Sequence, residues 1–528
     1  VAVIRAGLGR SANGNGEWAS GKRAIGWCGE SDIGFGIAAS PARKSRTEKL
    51  REFIFAGGPL IPTFPKLRAG MEYERKVRTT GRLRGGSTVS VVVAAAIVVA
   101  DMIGVGVFTS LGFQVKDIPS GFAILLLWTI GGIVALCGVF SYGELGAMFP
   151  RSSGEYNFLS RAYHPAFGFL AGWVSATVGF AAPVALAAMA FGEYGKSVFP
   201  GAPPLALAVG TVWLVSLVQL TGIRHSSTFQ LIATILKIVM ITAFLIAGFA
   251  IGTPQPVSFA PHPSDIGYVT SAPFAIGLVF VMYSFSGWNA ATYIIGEMQD
   301  ARQNLPRAML AGTSIVLVLY VALNAIFLYT APIDKLAGQL DVARISGSFI
   351  FGETGGRIVG AMICVGLVSS ISAMMWIGPR VMMTMGEDIP AFSLFARRSV
   401  QGAPAYAILF QLAVATLMLF TRSFEAVLDF IQFALLFCSF FTVLGVIKLR
   451  ITQPDLPRPY RAWGYPVTPM VFLLVTLFMM YYLAVERPLQ SFLGIMIMVS
   501  GLLIYAVFRK RDEAGSASPS PTHPSGRE

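Results

Sequence analysis

Charge is scarce in this chain. Charged residues make up 13% of its 528 residues and hydrophobic ones 54%, and the mean hydropathy is +0.65. Soluble domains carry roughly 25% charged residues, so an ordinary water-facing surface cannot be assembled from this composition. The scarcity excludes a soluble globular fold and predicts an all-α integral membrane protein. Histidine is scarcer still: His164, His225, His262 and His523 are scattered, which removes most metal sites and Ser–His chemistry. Cys28, Cys137, Cys364 and Cys438 form no C-x-x-C pair, so neither a disulfide framework nor a zinc site is indicated. No G-x-x-x-x-G-K-[ST] loop is present to drive work by nucleotide hydrolysis. Clustered carboxylates for a membrane-embedded enzyme and repeated polar rings for a channel are also missing. The expectation is a protein without catalytic residues, metal or cofactor. Its net charge of +13 is distributed along a membrane topology rather than along a nucleic-acid surface.

Long apolar runs take the place of charge. At about 20 residues per span, twelve transmembrane helices are predicted. They lie near 89–113, 120–148, 165–192, 204–222, 227–252, 271–297, 306–331, 357–384, 404–421, 426–448, 466–485 and 489–508. Turn signals separate them at Pro150, Pro200, Pro203-Pro204, Gly252 to Pro254, Pro306, Pro332, Pro390 and Pro454. With the amino terminus in the cytoplasm, the inner loops are rich in arginine (Arg151, Arg161, Arg302, Arg307, Arg397, Arg398, Arg458 and Arg461 among them). The outer loops hold fewer basic residues, such as Lys116, Lys196, Lys335 and Arg422. The positive-inside bias predicts a multi-pass protein of the cytoplasmic membrane with both termini in the cytoplasm.

Residues 1–85 are basic, polar and Gly-rich, and predict a disordered N-terminal segment. The chain opens on Val1, so a native start near Met71 is expected; a genuine cytoplasmic extension is the alternative. The transmembrane domain is expected over 86–510 and a disordered cytoplasmic tail over 511–528.

Two of the spans carry helix-weakening clusters. The first span holds Ala100-Asp101-Met102-Ile103-Gly104-Val105-Gly106-Val107-Phe108, and the sixth holds Tyr283-Ser284-Phe285-Ser286-Gly287-Trp288-Asn289. Each opens a run of about five spans, and Gly-interrupted spans at matching places in two halves are the best sequence pointer to a carrier's binding site. Glycine costs about 1 kcal/mol relative to alanine in a helix. If the first span unwinds here and restarts at Val107, the new helix's first N–H groups point into the break and suit a carboxylate. Unwinding at the second break offers carbonyls to a cation, with Tyr283, Phe285 and Trp288 to close over a ligand and Asn289 to touch its side chain. Close helix packing by small residues is the structural alternative at both places.

Lys237 falls midway along the fifth span, where a lysine costs roughly 2.5–3.5 kcal/mol on insertion scales. It requires a compensating partner or a neutral state. Asp101, just before the first break, is expected to pair with it; carrying a proton, meeting a cationic substrate and capping the broken helix are the other roles open to it. Glu144, Glu155 and Glu297 are expected to form solvated ion pairs with Arg151 or Arg302 at cytoplasmic helix ends, with gating as the alternative.

The chain resembles the amino acid–polyamine–organocation superfamily of transporters. The likeness is carried by Gly104-Val105-Gly106-Val107-Phe108, by Tyr142-Gly143-Glu144 through Pro150-Arg151-Ser152-Ser153-Gly154-Glu155-Tyr156, and by Gly287-Trp288-Asn289-Ala290-Ala291. Gly296-Glu297, Asn304-Leu305-Pro306-Arg307, Gly378-Pro379-Arg380 and Arg458-Pro459-Tyr460-Arg461 extend it. The resemblance implies a LeuT-type fold with two inverted five-helix repeats, about 89–252 and 271–449, broken helices 1 and 6, and two further helices. It implies that backbone N–H groups at Ile103, Gly104, Val105 and Gly106 take a substrate carboxylate, and that carbonyls at Tyr283, Ser284 and Phe285 take its α-ammonium. Tyr283 and Trp288 would gate, and Gly287 and Asn289 would complete the site. Val105 stands where the family usually has serine, so the amides lack a hydroxyl helper. Lys237 is similar to a fifth-helix lysine of sodium-independent members, its ammonium meeting carbonyls of the first break and Ser369 or Ser370; Asp101, the other candidate for coupling, departs from the family, which more often has a neutral residue there. The expected function is secondary transport of amino acids by alternating access, proton-coupled or exchanging. Neutral amino acids are favoured, with cationic amino acids or polyamines as the alternative.

Overall fold

The computed structural model describes residues 89–220, 226–399 and 402–516. The expected leader over 1–85, Met71 included, and the end of the expected tail lie outside the described residues. The described residues are helical, with one isolated backbone bridge between Val89 and Met298.

The first predicted span is two helices, α1 (Val91–Met102) and α2 (Gly106–Asp117). They are followed by α3 (Gly121–Met148), α4 (Glu155–Ala162), α5 (Pro165–Val174), α6 (Ala181–Gly195), α7 (Pro204–Leu220) and α8 (Ser226–Ile251). Then come α9 (Asp265–Val269), α10 (Ala272–Phe285), α11 (Ala301–Thr330), α12 (Ile333–Leu336) and α13 (Val342–Asp388). The chain ends in α14 (Ala405–Leu419), α15 (Phe424–Thr452), α16 (Val467–Glu486) and α17 (Pro488–Ser516). Among the described residues, nine helical stretches of at least 18 residues are apolar enough to cross a membrane. Three shorter apolar helices, Pro204–Leu220, Ala272–Phe285 and Ala405–Leu419, accompany them.

Helix starts follow local chemistry. Ser90, Ser120, Ser271 and Ser423 each turn a side-chain oxygen onto an N–H three residues on, satisfying a donor the first turn leaves open. Side-chain spacing decides which face turns inward. On α8 the exposed Ile232, Ile235, Val239 and Ile246 form a stripe at helical spacing that suits lipid, whereas Thr234, Lys237 and Ile241 are buried against the bundle. Ala181, Ala182, Ala185, Ala187 and Ala188 make α6 thin enough to be packed by α7, α13 and α14.

Several predicted spans are differently shaped. The 165–192 run is interrupted by a wide turn over Ser175–Gly179, where the Phe180 N–H reaches the Ser175 carbonyl at 3.2 Å. The 271–297 run is helical only to Phe285 and continues as short tight turns, Ala290–Tyr293 and Ile295–Glu297. The 357–384 run is part of a longer stretch that begins at Val342 and bends at Gly352, with φ 76° and ψ 176°. Helix α17 passes its predicted end and enters the expected tail as far as Ser516. The residues beyond its apolar run, Arg509-Lys510-Arg511-Asp512-Glu513-Ala514, are mostly strong helix formers and carry the helix on.

Candidate functional site

The break in the first span covers Ile103–Val105, and α2 restarts at Gly106 rather than at Val107. The N–H of Gly104 folds back onto the Met102 carbonyl at 2.7 Å, and that of Phe108 reaches the Val105 carbonyl at 3.0 Å. Between them, the N–H groups of Val105, Gly106 and Val107 find no acceptor among the described residues, and all three residues are buried. Unpaired donors at a helix start form an anion-binding geometry. In the second break α10 stops at Phe285, Ser286 is extended (φ −57°, ψ 143°), and Gly287 takes φ 102°, a backbone that side chains rarely adopt.

The two breaks touch at two points. A Cβ on Gly106 would stand 2.7 Å from the Ser284 Cα, and a Cβ on Gly287 would stand 2.7 Å from the Asp101 Oδ2. Glycine at both positions lets unwound backbone cross unwound backbone. A hydroxyl bridges the crossing: Tyr320 on α11 donates to the Met102 carbonyl and lies 3.0 Å from the Ser284 carbonyl. Ser110 and Ser284 are 3.3 Å apart, oxygen to oxygen, across the same contact.

Lys237 reaches the broken end of α1 from α8. Its ammonium donates to the carbonyls of Ala100 (3.4 Å) and Ile103 (3.0 Å) and to Ser370 Oγ (2.7 Å), using all three of its N–H donors. Ser369 is buried beside Ser370. The cation thus sits where α1 leaves orphan carbonyls and its dipole is negative. Asp101 and Lys237 are charged neighbours, but the ammonium makes no direct contact with the carboxylate. Successive helix residues are about 100° apart, so Asp101 leaves the face that meets α8 and lies against Gly287. It is 5% exposed, and its Oδ1 has no hydrogen-bond partner.

Expected acceptors at the second break are partly engaged. The Tyr283 carbonyl receives both the N–H (2.9 Å) and the hydroxyl (2.6 Å) of Ser286, which leaves it no lone pair for an amine. The Ser284 carbonyl is approached by the Tyr320 hydroxyl, and the Phe285 carbonyl receives the Trp288 N–H at 3.3 Å, so each of these keeps at least one lone pair. A cavity opens next to the crossing, walled by Asp101, Ser286, Gly287, Trp288 and Asn289. The wide turn at Ser175–Gly179 supplies part of the opposite wall. Wide turns of this kind recur at functional sites. Trp288 packs on Tyr142, with ring centroids 4.5 Å apart, and on Phe472. Tyr283 and Ile103 through Gly106 are buried but do not line this cavity.

The three glutamates are not solvated partners of Arg151 or Arg302. Glu144, 1% exposed, receives a two-pronged bond from Arg450 (3.0 and 2.5 Å) and the Ala462 N–H at 2.7 Å. Glu155 is bonded by the Tyr142 hydroxyl and by Ser439 at 3.0 Å. Glu297 pairs with Arg380 at 2.9 Å, and Arg151 turns to Asp388 at 2.7 Å. Helix ends that read as loops in sequence are folded against α13 and α15, which bring these partners from far along the chain. Tyr320 escaped the sequence reading altogether; its signal is a hydroxyl in an otherwise apolar run, which must find a partner when buried.

A bundle of apolar helices, two of them broken where they cross, defines a multi-pass membrane protein with a transporter's architecture of interrupted spans. The chain belongs to the amino acid permease family, whose sequence profile matches residues 89–508, and the family's members are transporters rather than enzymes. It is similar to the b(0,+)-type amino acid transporter 1 of Mus musculus, 26% identical over 426 residues that cover 78% of this chain and 86% of that one. It is also similar to the serine/threonine exchanger SteT of Bacillus subtilis, 24% identical over 429 residues (79% and 96%). A third relative is the large neutral amino acids transporter small subunit 2 of Mus musculus, 25% identical over 432 residues (79% and 80%).

Proposed function

We propose that the chain is a secondary carrier of amino acids that works by alternating access in the cytoplasmic membrane, with both termini inside. On this reading the twelve spans form two inverted five-helix repeats of the LeuT type, about 89–252 and 271–449, with two helices added. The observation that carries the proposal is the crossing of the two breaks. It joins three unpaired N–H donors at Val105, Gly106 and Val107 to the remaining lone pairs of the Ser284 and Phe285 carbonyls. A carboxylate belongs at the donors and an α-ammonium at the acceptors.

Lys237 couples transport to protons or holds the broken helix for exchange, since its ammonium bridges α1 to α13 through Ser370. Trp288 and Asn289 line the side-chain end, with Tyr283 as a second gate. The aromatic wall formed by Trp288 and Phe472 suits neutral side chains, and Asp101 suits cationic ones. Reconstitution in liposomes tests the proposal. Uptake that saturates and is accelerated by unlabelled amino acid inside is expected, whereas flux that rises without saturation would indicate a channel.

A further inference from the structure

The cavity beside the crossing has an acidic character. Asp101 and Glu155 line it together with the rings of Phe180, Trp288, Tyr293 and Phe472, and no lysine, arginine or histidine is among its lining residues. The two carboxyls differ in what they already hold. Glu155 Oε1 receives both the Tyr142 hydroxyl and Ser439 Oγ. Asp101 has no such service: its Oδ1 is buried without a partner, and Lys237 has committed its donors to Ala100, Ile103 and Ser370. Lys237 is a charged neighbour of Asp101 but spends its donors elsewhere, so the buried carboxylate lacks a direct partner, and a cation arriving to donate to it would lower that cost. The Gly287 backbone at φ 102° lets the Asp101 carboxylate sit at the cavity wall, because any side chain at 287 would occupy its place.

Resting on the reading of the chain as an amino acid carrier, we propose that this cavity selects amino acids with a cationic side chain, and that Asp101 is the residue that selects them. The side-chain ammonium or guanidinium donates to the Asp101 carboxylate through Oδ2, the oxygen beside Gly287 at the cavity wall, and the surrounding aromatic faces favour the cation through their ring quadrupoles. The α-carboxylate stays at the first break. A neutral substrate leaves the carboxylate without a direct partner and is bound less well.

The test is competition against labelled L-lysine uptake in liposomes by unlabelled L-lysine, L-arginine, L-leucine and putrescine, with wild type and Asp101→Asn. In wild type, lysine and arginine are expected to compete better than leucine. In Asp101→Asn the lysine-to-leucine affinity ratio is expected to fall by about tenfold or more, as loss of a charge-assisted bond implies. Leucine outcompeting lysine in wild type, an unchanged ratio in the variant, or competition by putrescine alone would each overturn the inference. The wild-type measurement decides even if the variant misfolds. If labelled leucine enters and lysine neither enters nor competes, this inference fails and the carrier reading stands; if no amino acid enters at all, both fail.

Discussion

One methyl group at Gly106 tests whether the two breaks must touch. In Gly106→Ala the new Cβ would stand 2.3 Å from Ser284 Oγ and 2.7 Å from Ser284 Cα. The hydroxyl can rotate away, at the expense of its bonds to the Phe280 carbonyl and Ser110. The Cα is backbone and must move with its helix. Restoring an ordinary carbon–carbon contact of about 3.5 Å parts α2 from α10 by about 0.8 Å. That shift stretches the Tyr320 bridge between the Met102 and Ser284 carbonyls and moves the open donors of Val105–Val107 away from the Ser284 and Phe285 carbonyls across the break. Misplacing groups by about 1 Å in a preorganised site costs about 10²-fold, so the initial uptake rate in liposomes is expected to fall by about that factor while the protein remains folded. Gly210→Ala is the control, because no atom lies within 4 Å of its added Cβ. Gly106→Ala carrying substrate at the wild-type rate would refute the reasoning.

Other perturbations probe the surroundings of the crossing. Tyr320→Phe removes the donor to the Met102 carbonyl and should lower stability by about 1–3 kcal/mol, the cost of one orphaned buried acceptor; thermal unfolding in detergent reads it. Lys237→Met strips the cation from the Ala100 and Ile103 carbonyls, and uptake should drop and lose its pH dependence; unchanged uptake across pH would remove Lys237 from coupling. Glu144→Gln leaves Arg450, and Arg458 whose Nε lies 3.4 Å from Glu144 Oε1, without their carboxylate. It should cost about 3 kcal/mol, near the low end for a buried pair because the Arg450 side chain is 20% exposed, and a melting temperature equal to wild type would contradict the buried pairing.

The positions of the breaks were legible in sequence because their cause is local. Gly104, Gly106 and Gly287 weaken a helix wherever they stand, and the chain around Ser284–Asn289 carries polar residues that an apolar span does not need. Lys237 was legible for a related reason: a mid-span cation must be explained by something. What it binds was only half legible. The carbonyls at the end of α1 follow from any helix interruption, but the side of α1 on which Asp101 emerges depends on the rotation of α1 between α8 and α10. That rotation is a tertiary quantity, and it leaves Asp101 and Lys237 as charged neighbours without a direct contact. The partners of Glu144 and Glu155 were illegible for the same reason, since Arg450, Ala462 and Ser439 lie some 300 residues along the chain and only packing brings them close. Tyr320 has no local irregularity to mark it. Its importance comes from standing next to two carbonyls that two other helices leave open.

The account places the amino acid at the crossing, on the cavity side of Ser286 and Gly287. Alkylation of a single cysteine measures this most directly. Ser286→Cys, in a background lacking Cys28, Cys137, Cys364 and Cys438, puts a thiol on the cavity wall, and Thr270→Cys puts one on an exposed surface elsewhere. Saturating concentrations of a transported amino acid are predicted to slow maleimide labelling at position 286 severalfold and to leave position 270 unaffected. Labelling at position 286 that proceeds at one rate with and without substrate, in protein that still transports, would contradict the account.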